Sequence, residues 1–420
     1  MKPASLSLPA TNLQQEFRAE LIAIADWWAA HSVDPQQGGF YGEVGADNQP
    51  DKNASKGVIL NARILWFFSE TALLLDKSAL NKPEYRVCAQ RAYTYLLEHF
   101  LDKEHGGFFW ELDAQGQPLN TKKQVYAQAF VIYALSAYYK LTRDDQALAQ
   151  ALVCFELLET HAIDYAREGY LEAFTRSWGE LDDLRLSDKD LNYPKSQNTH
   201  LHILEAYTCL NKIHPTPRIS AALHYNIRMF DDYMIDRETY HLRMFMDLDW
   251  KDFSPGFTYG HDIEASWLIA QALESLGNAG YTEALTPDLL KIAAVTQREA
   301  IGSYGQVMDA YNFATGAVSS DSIWWVQAEA LVGFLYAYSV SGDPSFLHTA
   351  ENVWKFIKQY QIDGKTGEWH WLAFLDKPHN EVYYKLGFWK CPYHNGRAMI
   401  EAARYLDAAE CHANTVVSHQ

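Results

Sequence analysis

Apolar residues recur at three- and four-residue spacing along almost the whole chain, the mark of amphipathic helices. The pattern predicts twelve of them, near residues 11–31, 55–75, 83–100, 122–142, 144–160, 196–213, 217–234, 261–278, 286–301, 321–342, 345–360 and 392–407. A glycine–aromatic loop returns after the odd-numbered helices: Gly38-Gly39-Phe40-Tyr41, Gly106-Gly107-Phe108-Phe109-Trp110, Gly169-Tyr170, Gly302-Ser303-Tyr304 and Gly367-Glu368-Trp369. Alternating residues follow in places, as in Trp369-His370-Trp371-Leu372, and suit short hairpins. Such an internal repeat points to architecture before any single motif does. Six helix pairs of roughly 60–75 residues close into a ring, so the expected fold is all-α, an (α/α)6 barrel of alternating inner and outer helices with short hairpin loops. An open solenoid is the alternative. No Pro/Gly/Ser-rich linker divides the chain. One domain over residues 1–409 and a disordered tail over 410–420 are expected.

Residues that do not belong in a plain apolar stripe gather near the starts of the even helices. They are Arg63; Tyr126 and Gln128; Asn198, His200, His202 and Glu205; His261 and Glu264; Trp324, Trp325, Gln327 and Glu329; His394 and Arg397. In a ring of alternating helices the even ones run the same way, so their N-termini meet at one end and the outliers become one pocket. Asn198, His202 and Glu205 share a helix face at i,i+4 and i,i+3, as do His261 with Glu264 and His394 with Arg397. His200 lies about 200° around the helix from His202, so the two cannot face one cavity equally well, and Asn198 and Glu205, on the face of His202, favour His202 as the inward residue. Three histidines could form a zinc set, but no HxxxH or HExxH pair is present and no metal is expected. There is no GxGxxG, P-loop or GxSxG motif, so no nucleotide cofactor and no serine nucleophile is expected.

Composition narrows the partners. The net charge is −18, from 35 basic and 53 acidic residues, which disfavours nucleic acid and anionic membranes and suits a neutral small molecule. The 14% aromatic content supplies either bulky core or stacking platforms. Five scattered cysteines, Cys88, Cys154, Cys209, Cys391 and Cys411, argue for reduced thiols. With no signal peptide or membrane-length apolar run in the sequence, a cytoplasmic monomer or weak homodimer is expected.

The segments KSQNTHLHILEAYT (195–208), YGHDIEASWL (259–268), WWVQAEALVGF (324–334) and KLGFWKCPYHNGRAMIE (385–401), supported by KGVILNARILWFFS (56–69), resemble the N-acylglucosamine 2-epimerase superfamily, nearest its cellobiose-epimerising branch. The resemblance spans essentially the whole chain. It implies cofactor-independent inversion of C2 in the reducing-end sugar of a disaccharide, cellobiose or lactose, with a monosaccharide such as N-acetylglucosamine or mannose as runner-up. It marks His202, His261 and His394 as catalytic. Arg63, Tyr126, Asn198, Glu264, Trp324, Trp325 and Trp389 would bind or orient sugar, with Glu205, Glu329 and Arg397 in support.

The chemistry is within reach of imidazole. C2 inversion needs ring opening, loss of a C2 proton acidified by the C1 carbonyl, and return of a proton to the other face. Histidine exchanges protons near neutrality. At helix N-termini His261 and His394 would stay neutral and form the C2 pair, with His202 assisting ring opening and Arg63 steadying the oxyanion. Two competitors remain: an (α/α)6 glycoside hydrolase, which needs paired carboxylates such as Glu264 and Glu329, and a non-catalytic sugar-binding barrel, which needs no histidines.

Overall fold

A computed structural model describes residues 9–76, 78, 80, 82–373 and 383–418, with side chains from 12 to 407. The described residues form twelve α-helices: α1 (Pro9–His31), α2 (Val58–Leu74), α3 (Pro83–Tyr95), α4 (Val125–Thr142), α5 (Asp145–Leu157), α6 (Gln197–Ile213), α7 (Pro217–Met229), α8 (Tyr259–Leu276), α9 (Ala279–Ala300), α10 (Trp324–Ser341), α11 (Pro344–Phe356) and α12 (His394–Ser418). The even helices pack in the cyclic order α2–α4–α6–α8–α10–α12–α2. Each odd helix packs outside an even one, and α1 seals against α12. This is the (α/α)6 barrel, closed rather than an open solenoid. The inner helices are apolar nearly all round, with α2 buried from Val58 to Ala72, as expected where neighbours lie on both sides. No described helix is long and apolar enough to cross a membrane.

Two boundaries differ from the sequence pattern. α9 starts at Ala279 rather than 286, because the Asn278 side chain caps it by accepting from Tyr281 N. Pro287, which reads as a first-turn proline, lies inside. At the other end, α12 is traced as helix to Ser418, so only 419–420 of the tail expected from 410 lie outside the described residues.

Each outer helix is followed by the same two-residue bridge: Val33 with Phe40, Leu101 with Phe108, Ile163 with Tyr170, Ile235 with Leu242, Ile301 with Val307 and Ile362 with Trp369. The fourth copy has no glycine and escapes the sequence pattern. Tyr240 there takes φ +62°, a left-handed conformation that costs a non-glycine residue about 1–2 kcal/mol. α3, α5, α7 and α11 each run into one π-helical turn before the bridge. A buried lysine staples this loop to the next inner helix in four copies: Lys56–Asp34 at 2.9 Å, Lys123–Asp102 at 3.0 Å, Lys195–Asp164 at 3.4 Å and Lys385–Asp363 at 2.8 Å. The links from inner to outer helices at the opposite end are short, such as Arg143–Asp144, Gly277–Asn278 and Gly342–Asp343. The long connections therefore all gather at the N-terminal end of the inner helices.

Candidate functional site

A cavity of about 440 Å³ opens at that end, within the range of small-molecule sites. Its walls carry Arg63, Tyr126, Asn198, His202, His261, Glu264, Trp324, Trp325, Trp389 and His394. Ten positions marked in the sequence, from all six inner helices and the segment before α12, thus share one space. Glu205, Glu329 and Arg397 lie beneath it. Trp371 and the segment Leu186–Asp190 also line it. Neither was marked as site-forming. Trp371 sits in the aromatic hairpin, a signal the sequence did hold; the 186–190 loop carries no motif.

The three histidines are held alike. His202 Nδ1 meets Glu205 Oε2 at 3.2 Å, His261 Nδ1 meets Thr258 Oγ1 at 2.6 Å, and His394 Nδ1 meets Glu329 Oε1 at 2.6 Å. Each Nδ1 is thereby occupied and each Nε2 left as the nitrogen available to a ligand. Thr258 occupies the N-cap position of α8 without capping the backbone; its hydroxyl holds His261 instead. Trp325 packs against both His261 and His394, with ring centres at 4.7 and 5.6 Å. Tyr126 and Phe130 flank His202 at 4.8 and 4.7 Å. Trp324 packs against Trp371 with ring centres at 4.5 Å and planes tilted by 54°.

Burial sets the protonation states. It holds His261 down at about 4 and His394 well below the usual imidazole value, where Arg63 and Arg397 add to the effect. His202 is lowered by burial too, against the pull of Glu205. All three are neutral imidazoles at neutral pH. Below them Arg397 is ion-paired with Glu205 and Glu264, and its guanidinium lies 2.8 Å from the Glu329 carboxyl. Burial opposes ionisation of Glu205, but Arg397, His202 and Tyr393 outweigh it and keep Glu205 at about 2. Burial wins at Glu329, whose carboxyl is held well above the usual range against Arg397. Arg63 donates to Tyr126 Oη at 2.6 Å and lies over the Phe130 and Tyr393 rings, a fixed cation in the cavity wall.

Glu264, Glu329 and His394 offer ligand atoms within 4.8 Å of one another, a spacing that could gather a metal. The guanidinium of Arg397 already lies against both carboxyls and supplies the positive charge there. The same packing speaks against hydrolysis: the two carboxyls are buried on one cation rather than set across a bond to be cut.

His200, Gln128 and Gln327 do not face the cavity. The fourth residue of each of four inner helices turns to the bridge of the preceding loop. Gln128 Oε1 accepts from Phe108 N, His200 Nε2 from Tyr170 N, Asp262 Oδ1 from Leu242 N and Gln327 Oε1 from Val307 N, at 2.8 to 2.9 Å. His200 is therefore a loop clamp. Burial holds it down at about 3, so it stays an acceptor at any ordinary pH. His200→Ala leaves a buried N–H unpaired and is expected to cost about 1–3 kcal/mol in urea denaturation, while leaving the His202 pocket assembled. Loss of the cavity function with unchanged stability would contradict this placement.

Residues 39–394 match the family described as N-acylglucosamine 2-epimerase. The chain is 43% identical over 390 residues to a cellobiose 2-epimerase of Bacteroides fragilis, covering 93% of this chain and 98% of that one. It is 38% identical to a cellobiose 2-epimerase of Dictyoglomus turgidum, covering 88% and 93%. Its fold is similar to the solved cellobiose 2-epimerase of Bacillus thermoamylovorans, with TM-score 0.88, 35% identity and coverage of 94% and 99%.

Proposed function

The chain belongs to the N-acylglucosamine 2-epimerase family and is an epimerase, and on that premise we propose that it inverts C2 of the reducing-end glucose of β-1,4-linked disaccharides, converting cellobiose to glucosyl-mannose and lactose to epilactose. The observation that carries the mechanism is the shared mooring of three histidines, each with Nδ1 engaged and Nε2 available on one cavity. The substrate class is supported by the cellobiose 2-epimerases among its relatives and by aromatic walls extending from Trp325 at the histidines to Trp371 and Trp389.

In this reading His202 Nε2 handles the protons of ring opening, with Glu205 fixing its tautomer. His261, neutral, takes the C2 proton at Nε2 and becomes an imidazolium beside Glu264. Electrons from the broken C–H bond pass into an enediolate whose oxygen faces Arg63. The His394–Glu329 pair supplies a different proton from the other side. His394 Nε2–H gives its proton to C2 while the Glu329 carboxyl passes one to Nδ1, so His394 remains neutral and Glu329 becomes the carboxylate. The reverse reaction exchanges these duties. Turnover of cellobiose in D2O is expected to place deuterium at C2 of the product, read by NMR. Product without solvent deuterium would point to hydride movement and sink the enediolate.

A further inference from the structure

Behind Asn198 lies a second cavity of about 40 Å³, room for a few waters. Glu172, Gln197 and the 184–191 loop wall it, and Asn198 and His261 belong to both cavities. Three buried oxygens on its wall residues, Glu172 Oε1, Gln197 Oε1 and Asn198 Oδ1, have no protein partner. Glu172 and Gln197 are 4% and 1% exposed. Buried polar atoms without partners are uncommon and need a reason. These three are all acceptors when the carboxyl is ionised, and a buried carboxylate oxygen without a donor is costly. A carboxyl becomes a donor by holding its proton.

We propose that Glu172 is a positioning residue: as a neutral acid it donates from Oε1 to Asn198 Oδ1, directly or through one water in this cavity, and so fixes the Asn198 carboxamide against the sugar. The proposal rests on the epimerase reading above, because Asn198 is taken to meet substrate. Its other oxygen is already engaged, Oε2 accepting from Thr199 Oγ1 at 2.6 Å. Burial drives this carboxyl up to about 8, against the hydrogen bonds of Thr199 and Ser196, and Asp190 adds to the rise. Of the other charged or titratable groups around the cavity, Arg185 is paired with Asp183, and His261 is neutral. Tyr193 lines the wall, and Lys195 on the adjoining strand turns to Asp164.

The test compares Glu172→Gln, whose amide still donates, with Glu172→Ala. At pH 7 Glu172→Ala is expected to raise KM for cellobiose about tenfold, the weight of one hydrogen bond, with a smaller change in kcat. Glu172→Gln stays near wild type. Above pH 8 the wild-type KM climbs and that of Glu172→Gln does not. Equal impairment of both variants at pH 7 would mean that the carboxylate charge is needed, and overturns the proposal. A second readout needs no activity. An acid raised from its ordinary value of 4.5 to about 8 contributes stability fully below 4.5 and loses it as pH rises toward 8. The Tm of Glu172→Gln is therefore expected to gain on wild type between pH 5 and 8. A difference that does not change with pH overturns the neutral acid, whether or not the wild type turns over cellobiose. A wild type inert on every disaccharide counts instead against the proposed function.

Discussion

Alanine at His261 or at His394 is expected to lower kcat for cellobiose by about 10²–10⁴, the usual weight of a positioned proton-transfer group. Far-UV circular dichroism should be unchanged. Both imidazoles sit at the start of inner helices beside Trp325, with loops rather than core packing on their free side, so their loss opens the cavity instead of the barrel. Glu329→Gln keeps a donor to His394 Nδ1 but cannot release a proton, so it is expected to slow turnover while leaving KM close to normal. The pH profile follows from the same burial. A depressed imidazole pKa means that the neutral base persists to lower pH, so the acid limb of kcat/KM set by His261 is expected near pH 4 and not near 6.5. A His261→Ala enzyme that retains near-normal kcat would remove it from the C2 pair.

Replacing Arg397 by methionine is expected to be the most damaging single change to the fold. The guanidinium is 1% exposed and answers three buried carboxyls, Glu205, Glu264 and Glu329, while stacking on Trp267 and Tyr393. Methionine fills much of the volume but leaves the acids uncompensated, at about 3–5 kcal/mol for breaking one buried pair. With Arg397 gone, Glu205 loses the cation that holds its carboxyl low and is expected to take a proton more readily. The destabilisation should therefore shrink on acidification, and Glu205→Gln in the same chain should recover part of it. Chemical denaturation at pH 5 and pH 8 reads both effects. A loss under 1 kcal/mol at pH 8 would mean that the carboxyls do not depend on Arg397.

Much of this was legible in the sequence because the repeat unit is short and the chemistry sits at equivalent places in it. The 3.6-residue period located all twelve helices, and the choice of His202 over His200 followed from Asn198 and Glu205, which share the face of His202. The hidden parts share one physical cause: each depends on a partner distant in sequence. Glu329 reads as a companion of its own helix, yet its partners are His394 and Arg397. Thr258 reads as an ordinary cap and holds His261. The buried lysines Lys56, Lys123, Lys195 and Lys385 look like solvated charges until Asp34, Asp102, Asp164 and Asp363 are placed beside them. Gln128 and Gln327 look like pocket residues because they stand near the same helix starts, although their side chains turn to the loop backbone. The fourth bridge was invisible since Tyr240 replaces the glycine that marks most of the others.

The uneven connections decide where this scaffold is free to vary. Links of two residues, such as Gly277–Asn278 and Gly342–Asp343, pull successive helices into tight corners, and a single added residue there would shift a whole inner helix along its neighbours. At the other end, each stretch between an outer and an inner helix is anchored at the bridge and, in four copies, by the lysine staple. The span between those anchors can lengthen or change composition at a small entropic cost that grows only with the logarithm of its length. Selection or design can therefore reshape what enters the cavity by rewriting spans such as 180–193 while the histidines stay where the helices put them. Substrate range and catalytic machinery become separately heritable traits in one chain.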